Sequence, residues 1–328
     1  MTTPAARTRA TSSRRTSSEA GRPARATWGR AAAETVLDLA NEVDKRFGKL
    51  RDASDPDDVH DARTATRRLR TAATIYREAL GKRRLRKAEG ELRRVAGLLG
   101  AVRDLDVMLG TLDEWERAAK LEHGEVTPLR RALKADRATA ETRLRAELDR
   151  ARTDRSLRRM TSLADRAAVR ARGVHDGDDP PVEASRVADR APAVIWRAFG
   201  DLLDHRVRPE IADPAAIHRM RLSAKKLRYT LEAFDDLLRD SFARRIEQVT
   251  AVQDSAGEMH DAVVAAERAR GLLADDHLRS AERDAIERFA SDQDARAAEL
   301  RPRIARGLSI LRGDAFREDL GRAVVAMG

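Results

Sequence analysis

Apolar residues recur every three or four positions along almost the whole chain from Trp28 onward, which is the spacing of one face of an α-helix. The alternating, β-branched runs that are typical of strands are scarce. The spacing predicts helices over about 28–48, 57–80, 83–99, 102–121 and 127–172, the last with a break, and over about 185–207, 214–239, 241–256, 258–273 and 276–326, with breaks near Pro302 and Gly313. We therefore predict an all-α protein rather than an all-β or parallel-sheet nucleotide fold.

Two segments lack this periodicity and divide the chain. Residues 1–26 are rich in Ser, Thr, Arg and Pro, and we predict that they form a disordered basic tail. Residues 173–183 read GVHDGDDPPVE and are predicted to form an exposed linker. The remaining parts, residues 27–172 and 184–328, are nearly equal in length, so we expect one helical bundle from each.

The two halves contain related segments. Residues 59–80 read VHDARTATRRLRTAATIYREAL and residues 217–238 read IHRMRLSAKKLRYTLEAFDDLL, with five of 22 positions identical. A second related pair, GAVRDLDV at 100–107 and GEMHDAVV at 257–264, follows at nearly the same offset. An Asp-Pro pair precedes each copy of the longer segment, as is typical of a helix start. The repeat predicts two four-helix bundles related by pseudo-twofold symmetry.

Each repeated helix is predicted to carry a row of cations opposite an apolar face. The rows comprise His60, Arg63, Arg67 and Arg70 in the first helix and His218, Arg221, Lys225 and Arg228 in the second, with Arg68 and Lys226 at their edges. Like charges at this spacing repel by a few tenths of a kcal/mol per pair, and neither row contains an acid. Arg binds phosphate oxygens in pairs, so a phosphate-rich anion is the expected partner.

Composition narrows the classes of site. The chain has no cysteine, which excludes disulfides, thiolate metal sites and a Cys nucleophile. Its formal net charge is +10, but the tail alone holds six Arg against one acid, so the folded part is only mildly basic. No apolar stretch approaches the roughly 20 residues that span a bilayer, and the tail lacks the apolar region of a secretory signal. We expect a cytoplasmic protein without a membrane partner.

The pattern His-x-x-Arg-x-x-x-basic-basic-Leu-Arg, present twice and followed each time by an Asp-containing segment, resembles the conserved histidine α-helical domain (CHAD) family. The resemblance covers roughly residues 28–327 and implies two four-helix bundles with a basic central groove. It also implies binding of inorganic polyphosphate, association with polyphosphate granules, and neither enzymatic activity nor a cofactor. The chain has no motif of the CYTH domain to which some members are joined, so it resembles a stand-alone member.

The resemblance also implies which residues bind polyphosphate. They are His60, Arg63, Arg67, Arg68, Arg70, Arg103, His218, Arg221, Lys225, Lys226, Arg228 and Tyr229. The two copies differ at Thr71, which corresponds to Tyr229, and at Arg103, which corresponds to His260. These differences leave the symmetry of the two walls open.

Other functions stay open at this point. A metal-dependent phosphohydrolase would need His60 and His218 to share a metal with Asp104 and Asp261, but an Arg three residues after each His repels cations. A phosphohistidine relay is a further possibility that the sequence does not separate from passive binding. Nucleic acid is the main alternative partner. Single-strand binders stack bases on aromatic rings, however, and this chain has eleven Phe, Trp and Tyr residues in all.

Overall fold

A computed structural model describes residues 26–52, 55–119, 124–173, 181–238 and 242–327. Almost all of the predicted tail and most of the predicted linker lie outside these residues. The α-helices are α1 (Trp28–Asp52), α2 (Pro56–Ile75), α3 (Arg77–Leu80), α4 (Lys82–Ala119), α5 (Thr127–Leu148), α6 (Ala151–Arg172), α7 (Val187–Leu203), α8 (Pro214–Ala233), α9 (Asp235–Leu238), α10 (Ala243–Leu272), α11 (Ser280–Arg312) and α12 (Asp314–Val325). The described residues contain no strand, so the all-α prediction is confirmed.

Three predicted helix breaks are wrong. The segments predicted as helices over 83–99 and 102–121 form the single helix α4, and those over 241–256 and 258–273 form α10. A glycine inside a helix costs about 1 kcal/mol relative to alanine, which is small beside the burial of Leu99 and Val102 on either side of Gly100. Pro302 lies inside α11, whereas Gly313 ends that helix as predicted.

The two repeated helices, α2 and α8, begin as the sequence predicts. The Asp55 carboxylate accepts hydrogen bonds from the two backbone N–H groups that follow Pro56, at 2.9 and 2.8 Å. Asp213 accepts from the N–H of Ala215 at 3.0 Å, with Pro214 in the first turn. Each aspartate therefore caps N–H groups that have no partner within the helix, while the proline occupies a position that needs no donor.

The ends of α2 and α8 meet at one tryptophan. Tyr76 follows α2 and Phe234 follows α8 at corresponding positions of the repeat. The ring centroid of Trp28 lies 4.6 Å from that of Tyr76 and 6.1 Å from that of Phe234. Trp28 is only 2% exposed, so its indole ties both repeated helices to the start of α1.

The first helices of the two halves are also joined directly. The N–H of Trp28 donates to the carbonyl of Ser185 at 2.6 Å, and the N–H of Val187 donates to the carbonyl of Ala26 at 2.9 Å. The starts of α1 and α7 therefore lie side by side, although they are far apart in sequence.

Apolar packing connects the halves in two places. The main core contains residues of both halves, and a second cluster of buried side chains joins α4 and α5 to α10 and α11 around Leu112, Leu133 and Phe289. The division into two symmetric bundles, with boundaries at 27–172 and 184–328, stays a prediction. Within the described parts of the chain, no helix combines the length and the apolar character that a membrane crossing requires.

Candidate anion-binding site

Helices α2 and α8 contact each other, and cations from both converge on one cavity of about 670 Å³. From the predicted set, Arg63, Arg67 and Arg70 line it on the α2 side, and Lys225, Lys226 and Tyr229 line it on the α8 side. These residues belong to opposite halves of the sequence. The fold therefore brings the central parts of the two predicted cation rows together.

Three further cations line the cavity that sequence reasoning missed. They are Arg77 of α3 and Arg190 and Arg197 of α7. Arg190 and Arg197 are seven residues apart, which places them on one helix face, but this spacing is common in so charged a chain and no motif marks α7. The only carboxylate among the described lining residues is Glu78, which accepts a hydrogen bond from Arg190 at 2.5 Å.

One aromatic ring lies close to two of the guanidinium groups. The Cζ of Arg67 lies 4.6 Å from the centroid of the Tyr229 ring, and that of Arg228 lies 5.0 Å from it. Both distances are within the range of cation–π attraction. Tyr229 is 6% exposed and its hydroxyl has no hydrogen-bond partner, so the ring is the part of the side chain that makes these interactions.

The cation rows are only partly neutralised by the protein's own acids. Arg63 lies 3.8 Å from the Asp104 carboxylate, and Lys226 is paired with Asp201 at 2.5 Å. Arg228 is paired with Glu232 at 2.9 Å.

Four predicted residues lack this compensation. Within the described chain no carboxylate lies within 4.0 Å of Arg67, Arg70, Arg221 or Lys225. The Nε atoms of Arg67 and Arg221 are buried without a hydrogen-bond partner. A buried donor without a partner costs free energy, and an anion that accepts from it would recover that cost.

The electrostatic cost appears most clearly at Lys225. Burial, together with the charges of the neighbouring Arg67, Arg63, Arg221 and Arg228, lowers the pKa of its ammonium group to about 7. Burial also lowers the pKa of Arg67 and of Arg70. The site therefore carries more positive charge than the protein's own carboxylates neutralise.

The two predicted histidines do not line the cavity. His60 is exposed, and its pKa is lowered by partial burial and by the charge of Arg103. The His218 ring lies 4.3 Å from that of His260, and burial and His260 lower its pKa. His260 is not among the predicted site residues, although it corresponds to Arg103 in the second repeated segment.

Other predicted residues also lie outside the cavity lining. Arg68 is exposed, and Arg103, Arg221 and Arg228 are half-buried. Arg221 packs against Gly257 of α10, where a Cβ atom would lie 3.2 Å from its Nε. No group of three or more histidine or carboxylate side chains suited to a metal ion occurs in the part of the chain that the structure describes.

Comparison with known proteins gives a family match and two curated relatives. Residues 24–270 match the family model for the CHAD domain, a shorter span than the resemblance over 28–327. The uncharacterized proteins MT2285 and Rv2226 of two Mycobacterium tuberculosis strains are each 30% identical to this chain over 219 residues. The match covers 64% of this chain and 39% of each relative, so the chain spans about two fifths of their length.

Two solved structures share the fold. The CHAD domain of the plant Ricinus communis has a TM-score of 0.67 and 22% identity, and the match covers 88% of this chain and 94% of that one. PptA from Streptomyces chartreusis has a TM-score of 0.66 and 18% identity, with 87% and 99% covered. At this identity the likeness establishes the fold.

Proposed function

Because the chain belongs to the CHAD domain family, which is associated with polyphosphate binding, we propose that it binds inorganic polyphosphate in the cavity between α2 and α8. The observation that carries the proposal is the meeting of uncompensated cations from both halves, above all Arg67 and Lys225. Inorganic polyphosphate presents negative oxygens along its whole length. It would supply the charge that this cavity lacks.

The chemistry of the lining residues suits a repeating phosphate. Arg67 and Arg70 each offer several N–H donors in a planar fork, and Lys225 adds a compact ammonium group. Binding would read charge and shape rather than sequence. Binding would weaken with added salt because polyphosphate releases its counterions when it binds the protein.

The remaining predicted residues would extend the site beyond the cavity. Arg221 carries a buried, unpartnered Nε, and Arg63 couples electrostatically to His60. We infer that His60, Arg103, His218 and Arg221 contact further phosphate units of a longer chain. Arg68 would contribute from the exposed edge.

We propose that the protein holds the chain and does not cleave it. Hydrolysis needs a group that activates water, and the carboxylate among the described lining residues, Glu78, is held by Arg190. Burial raises the pKa of the Tyr229 hydroxyl, which keeps it protonated. In a cell, such binding would recruit the protein to polyphosphate granules.

Nucleic acid suits this cavity less well. Non-specific single-strand binders offer exposed rings on which bases stack. The aromatic residues of the described lining are Trp28 and Tyr229, which are 2% and 6% exposed, and Tyr229 already contacts two guanidinium groups.

The proposal is tested by charge reversal at its centre. In the Arg67→Glu/Lys225→Glu double variant we expect affinity for long-chain polyphosphate to fall by at least about a hundredfold, because like charges then face the ligand. The matched control is Arg303→Glu/Arg306→Glu, which changes two exposed cations of α11 and should leave affinity nearly unchanged. Circular dichroism checks that both variants stay helical.

Two results would contradict the proposal. One is unchanged polyphosphate affinity in the cavity double variant. The other is displacement of polyphosphate by single-stranded RNA at equal phosphate concentration and physiological salt, which would favour nucleic acid as the ligand.

A further inference from the structure

Part of the cavity lining is aliphatic. Ala193, Val194 and Ala198 of α7 line it together with Leu222 of α8 and Ile75 of α2. Leu222 is 49% exposed, so its methyl groups are accessible to a ligand in the cavity. This aliphatic wall, as we call these five residues, has no role in binding an inorganic anion.

The aliphatic wall shares a helix face with cations, because Arg190 and Arg197 flank Ala193 and Val194 on α7. Lys226 lies one turn after Leu222 and is paired with Asp201 of α7, so this edge of α8 faces α7. Arg63, Arg67 and Arg70 project from α2 instead. A ligand that fills the cavity therefore meets methyl groups with guanidinium groups close beside them.

An inorganic phosphate chain gains contacts with the cations but none with the aliphatic wall. Phosphate oxygens placed against Val194 and Leu222 would lose water without gaining a hydrogen bond, which costs free energy. A hydrocarbon group placed there would be stabilised by every methylene that it removes from water. The cavity volume of about 670 Å³ also lies within the range of sites for small organic ligands.

We propose that the cavity also binds diphosphate esters that carry a short aliphatic chain. The diphosphate group contacts Arg67 and Lys225, and the hydrocarbon chain lies along the aliphatic wall. The inference rests on the proposed function because it uses the same cations, but it adds an organic class of ligand that competes with polyphosphate.

An aliphatic group fits better than a nucleoside. The exposed surface of the wall consists of methyl and methylene groups, and the aromatic rings of the described lining are almost fully buried. A base would find no accessible ring on which to stack. The ligand class is therefore an alkyl or alkenyl diphosphate rather than a nucleotide.

The experiment compares ligands that differ only in the hydrocarbon. Isothermal titration calorimetry of the full chain with inorganic pyrophosphate, geranyl diphosphate and ADP measures each affinity directly. We expect geranyl diphosphate to bind at least about tenfold more tightly than pyrophosphate, and more tightly than ADP. Equal binding of geranyl diphosphate and pyrophosphate overturns the inference, and so does tighter binding of ADP.

Substitutions in the aliphatic wall test where the hydrocarbon chain of the ligand lies. Leu222→Ser and Val194→Ser should each weaken geranyl diphosphate by about fivefold to tenfold and leave pyrophosphate unchanged. Val325→Ser, at a residue 81% exposed on α12, is the matched control and should change neither. An equal loss for both ligands in the wall variants, or no loss for either, contradicts the inference.

The two proposals fail differently. If long-chain polyphosphate binds and geranyl diphosphate binds no better than pyrophosphate, only the inference is wrong. If geranyl diphosphate binds through Arg67 and the wall while polyphosphate does not bind, the proposed function is wrong and the cavity serves the organic ligand alone.

Discussion

The guanidinium group of Arg67 lies 4.6 Å from the ring of Tyr229, so a cation of the first repeat rests on an aromatic side chain of the second. The counterpart of Tyr229 in the first repeat is Thr71, which lines the same cavity. The difference between the repeats therefore has a physical consequence. The ring of Tyr229 contacts the guanidinium group of Arg67, whereas the smaller Thr71 has no ring to offer a cation.

Substitution of Tyr229 tests this support. Tyr229→Phe keeps the ring and removes a hydroxyl that has no partner, so we expect stability to change by less than about 1 kcal/mol and polyphosphate affinity to be retained. Tyr229→Ala should lower the free energy of unfolding by about 3 kcal/mol and weaken binding, because Arg67 loses its contact. Urea denaturation and calorimetry provide both values. Equal losses of affinity in the two variants would mean that the hydroxyl, not the ring, matters.

Lys225 predicts a pH dependence of binding. Its pKa of about 7 lies below the ordinary value of 10.5, so the free protein releases this proton as the pH rises through 7. A polyanion favours the ammonium form. Polyphosphate binding above pH 7 should therefore take up a proton, and affinity should fall as the pH rises.

Calorimetry in buffers of different ionisation enthalpy measures that proton uptake. In Lys225→Met it should disappear at pH 8, and affinity should be reduced at pH 6 but close to that of the wild type at pH 9. Because the unfolded chain keeps this proton up to about pH 10.5, the wild type should also gain stability between pH 7 and 10.5 relative to Lys225→Met. The same proton uptake in both proteins would assign it to another group.

Under the proposed function, Asp104 would compete with polyphosphate for Arg63. Its carboxylate lies 3.8 Å from the guanidinium group, and its side chain is 66% exposed. Asp104→Asn should raise polyphosphate affinity by about twofold to fivefold, the range expected when a weak surface ion pair is removed. Asp314→Asn, which breaks an ion pair with Arg317 on α12, is the control and should have no effect. A lower affinity in Asp104→Asn would show that the acid organises the site.

Gly100 and Gly257, the corresponding glycines of the second repeated segment, should respond differently to substitution by alanine. A Cβ atom at Gly100 meets nothing within 4 Å, so Gly100→Ala should stabilise α4 by about 0.5 to 1 kcal/mol. At Gly257 the Cβ would lie 3.2 Å from the Nε and 3.3 Å from the Nη2 of Arg221. Gly257→Ala should therefore displace Arg221 and weaken binding of long polyphosphate, as filter-binding or calorimetric titration would measure. Equal affinity in both variants would remove Arg221 from the site.

Local signals in the sequence predicted the helices that carry the site. Asp55-Pro56 and Asp213-Pro214 mark helix starts through chemistry that acts within one turn, and both predictions are confirmed. The break expected at Gly100 is wrong because burial of the apolar face of α4 outweighs the cost of one glycine. The low helix propensity of glycine therefore misled the prediction at a position where tertiary packing determines the structure.

The cavity itself depends on contacts that no local pattern encodes. A helical wheel groups Arg63, Arg67 and Arg70, but it cannot show that Lys225 lies across from them. Arg190 and Arg197 have no motif, since their position follows from how α7 packs on α8. The wheel also groups His60 with the row, although it lies outside the cavity lining because it is nearer the helix start.

The contact of Trp28 with both Tyr76 and Phe234 joins α2 and α8, the helices on either side of the cavity, through one buried indole. Because both helices contact the same indole, a movement of either one would disturb the interior of the protein. The distance between the cations of α2 and those of α8 is thus set by the packing of the protein and not by a ligand. A core substitution such as Phe234→Leu is therefore expected to change the affinity for an anion, although Phe234 does not line the cavity.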